Sequence, residues 1–190
     1  MTIRHWTRTA ALAAALTTAT AAADAATTIS FVSVDNPYSP SLVAYAARDG
    51  EFAVEFRGDA LPGGQSGEAA LGGLTTSGGH PPALLTTRPS DDGAKAGNNS
   101  YRLVFLVNPE RLVNAARVCR APDDIPVRAD GGRTDILAAF CIGERAYSWG
   151  YGSVGADEGA AGIHDLLGQL VLNVIPYRDP EAGGCGKRPC

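Results

Sequence analysis

Histidines and cysteines carry most of this chain's chemical potential. Beyond the first 25 positions they are His80, His164, Cys119, Cys141, Cys185 and Cys190. A hydrolase built on either histidine needs a nucleophile beside the imidazole, with the histidine oriented as its base. His80 stands in Gly-Gly-His-Pro-Pro, and His164 lies at the rim of an apolar stripe next to Asp165. Ser66, in the run GQSGE, misses the strand-to-helix nucleophile turn because Glu68 occupies the place that needs glycine. No pair of histidines has zinc-protease spacing. The expectation is therefore two ordinary loop or surface histidines and no catalytic residue. A periplasmic hydrolase using His80 or His164 is the alternative. No metal site is expected either: Cys185 and Cys190 have only a loose metal spacing, and Cys119 and Cys141 each lack a close second ligand. The acidic pairs Asp91-Asp92 and Asp123-Asp124 read as solvated turn residues, with a weak calcium site as the alternative.

Gly150-Tyr151-Gly152-Ser153-Val154-Gly155 matches G-x-G-x-x-G, a pattern found at dinucleotide-binding turns. Such a turn needs a strand before it, a helix starting within it, and a second parallel strand bearing an acidic group for the ribose. Only the first is expected here. Asp157 and Glu158 put negative charge where a pyrophosphate would sit, at the helix end that favours anions. No cofactor is expected. The glycines read instead as a flexible connection between a hairpin and the last helix. Arg57-Gly58-Asp59 is a three-residue adhesion pattern, short enough to arise by chance. Asn98-Asn99-Ser100 matches a glycosylation acceptor but means little in a bacterial chain.

Arg4 and Arg8, an uncharged Ala/Leu-rich run from Thr9 to Ala23, and Ala23-Asp24-Ala25 together have the layout of a secretory signal peptide, with a cut expected after Ala25. The run is too short to span a bilayer, so no integral membrane segment is expected after cleavage. The chain carries a net charge of −4 and no basic run, which argues against a nucleic-acid partner. An even cysteine count in an exported chain favours disulfides. Four cysteines allow three pairings, of which Cys119–Cys141 with Cys185–Cys190 is favoured. The first closes a loop worth roughly 3 kcal/mol on the chain-entropy account.

Element patterns then have to position these residues. Thr28–Val34 reads as a strand. Ser39 and Pro40 read as a cap and first-turn proline for a helix stopped by Gly50. Glu51–Arg57 alternates, with Phe52, Val54 and Phe56 on one face, as in a half-buried antiparallel strand. A glycine-rich loop follows, with at most a short turn of helix at 67–71, and 83–87 reads as a strand. Tyr101–Val107 is apolar on both faces, as in a central strand. Asn108-Pro109 reads as the start of a helix that turns Leu112, Ala115 or Ala116, and Cys119 toward the core. Residues 134–141 and 145–151 read as a hairpin around Gly143-Glu144, with a short helix at 134–140 as the rival. Ile163, Leu166, Leu167, Leu170, Val171 and Val174 form an amphipathic helix ended by Pro176.

The sum is an α+β fold: a mostly antiparallel sheet with helices packed on one face. Residues 1–25 are expected to be a signal peptide, 26–178 one domain, and 179–190 a flexible cysteine-containing tail. Tyr147, Trp149 and Tyr151 alternate along the last strand and are expected to share a face. Core packing is the plainer use for them, and a ligand surface the sharper one.

YRLVFLVNP at Tyr101–Pro109, Cys119, AAFCIGERAYS at Ala138–Ser148 and the helix Ile163–Pro176 resemble a loosely defined group of small exported, sometimes lipid-anchored, alphaproteobacterial proteins. The resemblance covers about the last 80 residues of the chain. It implies a paired Cys119–Cys141 and an envelope location, and it implies no activity. The chain departs from the group in its GGCGKRPC tail and in having no lipid-attachment cysteine. The expected molecule is a periplasmic or secreted, disulfide-stabilised, non-enzymatic protein. Its partner would be an unidentified protein or small molecule of the envelope.

Overall fold

The structure, a computed structural model, describes residues 27–76, 78–88, 101–110, 113–128 and 132–177. The expected signal peptide, the tail with Cys185 and Cys190, Asp91-Asp92, Asn98-Asn99-Ser100 and Leu112 lie outside those residues.

Six strands form one sheet: β1 (Thr28–Val34), β2 (Glu51–Gly58), β3 (Leu84–Thr86), β4 (Tyr101–Val107), β5 (Arg133–Ile142) and β6 (Arg145–Gly155). Their order is β1-β6-β5-β4-β2-β3. The three pairings among β1, β6, β5 and β4 are antiparallel, whereas β2 runs parallel to both β3 and β4. The α+β class holds, and the sheet is mixed. β2 keeps its alternation, with Phe52 and Val54 buried. Alternation reports which face is wet, not the direction of the neighbouring strand, so it could not reveal the parallel pairings.

Four helices complete the description: α1 (Pro40–Ala46), α2 (Gly67–Leu71), α3 (Ala115–Arg120) and α4 (Gly159–Val174). Ser39 caps α1 and Pro40 opens it, as expected. Ser66 caps α2 by accepting from Ala69 N–H. The Glu68 carboxylate ties α2 to the end of β3, accepting from the Thr87 N–H at 2.9 Å and the Thr87 hydroxyl at 2.7 Å. The Thr87 main-chain hydrogen bond, and then its hydroxyl, hold Glu68 below the usual carboxylate range.

α4 buries all six residues of its predicted stripe. With α1 and α2 it shares a core with Leu103, Phe105, Ile136 and Phe140 of the sheet. α3 amends the expected layering, for it lies on the opposite face. There Ala115, Val118 and Cys119 pack on Val104, Leu106, Leu137, Ala139 and Cys141. The cause is legible in β4, whose apolar residues point both ways and need cover on both sides.

The helix expected from Pro109 begins six residues later, at Ala115, with Asn114 as its cap. Asn108 adopts φ 50°, a left-handed conformation that asparagine tolerates. Its side chain accepts from Asp135 N–H at 3.0 Å, and Pro109 bridges to Val127. These bonds carry the chain away from β4 before any helix starts.

The hairpin β5–β6 turns at Gly143-Glu144, with Ile142 opposite Arg145 and Gly143 at φ 59°. The G-x-G-x-x-G run lies within β6 and is not the flexible connection expected of it. A Cβ on Gly152 would come within 2.7 Å of Leu166, and one on Gly150 within 3.2 Å of Val174. The two glycines therefore let α4 lie close against the strand.

Candidate functional site

Each histidine has one ring nitrogen engaged with a main-chain carbonyl. His80 is buried, and its Nε2–H donates to the Ile175 carbonyl at 3.0 Å while its ring packs edge-on to Tyr177. His164 Nδ1–H donates to the Ala70 carbonyl at 3.1 Å, joining α4 to α2. Among the described residues, the hydrogen-bond partner of each ring is a main-chain oxygen. His80 belongs to a set. The Ser148 hydroxyl donates to Val174 O and the Tyr38 hydroxyl donates to Pro176 O. Three side chains from separate parts of the chain thus satisfy three successive carbonyls at the closing end of α4, which the helix itself leaves without partners.

The three aromatic residues of β6 do not share a face. Phe140 pairs with Ser148 and Cys141 with Ala146, so Tyr147 is the extra residue of a bulge. Tyr147 packs toward the α4 side, 6.3 Å from Phe140, and Arg145 lies over its ring at 5.3 Å. Trp149 and Tyr151 pack on the α3 side. Tyr151 hydrogen-bonds the fully buried Asp135, which also meets Arg128 and Arg133. Burial first, then the Asp135 hydrogen bond and charge, push the Tyr151 hydroxyl up to about 12.

Trp149 is the member that faces a recess. It lines a cleft of about 560 Å³ with Asp35, Asn114, Arg145 and the first turn of α3. Its ring lies 4.6 Å from Phe31, which is 47% exposed on the outermost strand. Asp35, just after β1, and Arg145, the first residue of β6, are among its lining residues. Among the described residues neither charge has an ion-pair partner.

The α3 wall of this cleft is fastened twice. Cys119 is disulfide-bonded to Cys141 on β5, with a Cα–Cα distance of 5.6 Å. Arg102 on β4 donates to the Cys119 carbonyl at 2.8 Å and to the Gly143 carbonyl at 3.0 Å, with Glu55 3.1 Å away.

No family model, curated protein or solved structure matches the chain. No described helix is long and apolar enough to cross a membrane. No cluster of three or more metal-ligating side chains occurs among the described residues. In the Arg57-Gly58-Asp59 triplet, Arg57 pairs with Glu55 at 3.1 Å, and Asp59 accepts from Ala60 N–H. Its charged ends are therefore already engaged.

Sequence reading found Trp149 and missed Phe31, Asp35, Asn114 and Arg145. Asn114 had a local signal, a cap residue before Ala115. Phe31 and Asp35 are brought to Trp149 only by the antiparallel pairing of β1 with β6, which joins positions more than 100 residues apart, whereas Arg145 lies on β6 itself.

Proposed function

We propose that this chain is an exported protein of the periplasm or secreted fraction that works by binding, with the Trp149 cleft as its contact surface. The observation that carries the reading is the buried Cys119–Cys141 bond. Such links persist in oxidising compartments and are rare where thiols are kept reduced. The N-terminal layout of Arg4, Arg8, the uncharged run and Ala23-Asp24-Ala25 supports the same location. So does the resemblance of residues 101–176 to small exported alphaproteobacterial proteins. A binding role fits a cleft whose volume lies in the range of small-ligand sites, about 300–1,000 Å³.

Two measurements test the reading. Intact-mass analysis of the protein recovered from the envelope fraction should give a chain cut after Ala25 with Cys119 and Cys141 oxidised. A full-length chain with free thiols overturns the location. A photo-crosslinking side chain at Ala116, in the cleft wall, should form a discrete adduct in the envelope. The same group at exposed Asp165 on α4 should not, and equal adducts from both positions overturn the contact surface.

A further inference from the structure

The two edges of the sheet are finished differently. Beside β3 the outer side is covered: Thr75 bridges to Leu84, Thr76 N–H donates to the Ala83 carbonyl at 2.9 Å and Leu85 N–H to the Leu74 carbonyl at 2.9 Å. At β1 no described strand pairs with the outer side. Natural sheets protect such an edge with lysine, proline, a very short strand or a bulge. β1 has seven residues, TISFVSV, with no charge and no proline. Its bulge lies toward one end, between Ile29 and Phe31, so Phe31–Val34 pairs regularly with β6.

Asp35 N–H donates to the Tyr147 carbonyl at 2.9 Å. In an antiparallel ladder, residues that turn their main-chain groups toward one neighbour alternate with residues that turn them away. Counting back from Asp35, Ser33 and Phe31 face β6, while Val32 and Val34 present N–H and C=O outward. Phe31 adds a 47% exposed ring on the side of the sheet where Trp149 packs.

From this pattern we infer that β1 pairs, antiparallel, with β1 of a second copy of the chain, about a two-fold axis at Ser33. That register sets Val32 of each copy opposite Val34 of the other. The outward N–H and C=O groups of both valines then bond across the axis, and two apolar cross-strand pairs form. Charge favours a second copy as the occupant. β1 brings no charge against itself, and Asp35 falls opposite uncharged Phe31. A parallel self-pairing would instead set Asp35 against Asp35. The two-fold also keeps both copies of α4 on one face of a continuous sheet and both copies of α3 on the other.

The inference needs only the strand edge and stands apart from the reading of the Trp149 cleft. Sedimentation equilibrium of the full chain should show a monomer–dimer equilibrium. S33K and S33E should each weaken it about tenfold or more, because each sets like charges opposite each other at the axis. Mixing S33K with S33E should restore a heterodimer, which a misfolded variant could not form. A wild-type chain that stays monomeric, a dimer that both variants leave unchanged, or a mixture that fails to associate overturns the inference. A crosslinking side chain at exposed Ser30 that captures only a foreign chain also overturns it and gives the edge to another partner. The Ala116 adduct reads the cleft independently, so either reading can fail without the other.

Discussion

Arg102 and Cys141 sit directly opposite each other on β4 and β5, and both hold Cys119. Cys141 holds it through sulfur, and Arg102 through a 2.8 Å hydrogen bond to its carbonyl. α3 has six residues, far too few to persist as a helix without tertiary support. The covalent and the polar fastening act on the same element.

Removing either fastening should be costly, and removing both should cost less than the sum. C119A/C141A is expected to lose about 3 kcal/mol. R102M is expected to lose about 2–3 kcal/mol, because it strands two carbonyls and removes one of the two guanidinium groups that meet Glu55. Once one change frees α3, the second has less left to break, so the triple variant should fall short of additivity by at least about 0.5 kcal/mol. Urea denaturation of the four proteins reads this directly. Strict additivity would show that the two fastenings act on separate units.

Tyr151 should titrate late. Its hydroxyl is raised to about 12, whereas an unfolded tyrosine ionises near pH 10. Between those values the unfolded chain releases a proton that the folded chain keeps, so stability falls as pH rises through that window. Below it the contribution is fully present. Ultraviolet titration should show one tyrosine ionising about two units late, and Y151F should remove that step and flatten the alkaline loss of stability.

His80 should prove structural. H80A leaves the Ile175 carbonyl buried without its donor and opens space beside Tyr177. The expected cost is about 1–3 kcal/mol in thermal or chemical denaturation. S148A removes the donor to the neighbouring carbonyl and should act in the same direction. An H80A protein of unchanged stability would show that the end of α4 does not depend on this cap.

Gly152 should resist a side chain. In G152A the new methyl would meet Leu166 and Ile29 side chains and approach the Thr28 carbonyl at 3.1 Å. Leu166 is fully buried and has little room to yield. The expected loss is about 1–2 kcal/mol. It should come with shifted methyl resonances of Leu166, which distinguish displacement of α4 from a purely local effect on β6.

Several elements are written into short windows of sequence. The stripe Ile163–Val174 specifies α4 because residues three and four apart share a helix face. Ser39-Pro40 specifies the start of α1, and Gly143-Glu144 the hairpin turn, because capping and positive φ are local requirements. In each case the residues that set the outcome are neighbours in the chain.

What the tertiary structure decided is what depends on partners far away in sequence. β2 carries the alternation of a half-wet strand, yet it runs parallel to β3 and β4. The glycines of β6 matter because α4 lies across them, not because of any turn. One bulged residue separates Tyr147 from Trp149, and strand pairing then brings Phe31 and Asp35 to that tryptophan. Periodicity fixes which way a side chain points relative to its own strand or helix. Which other side chains it meets is set by register and layer order, and those are chosen by the burial of the whole sheet at once.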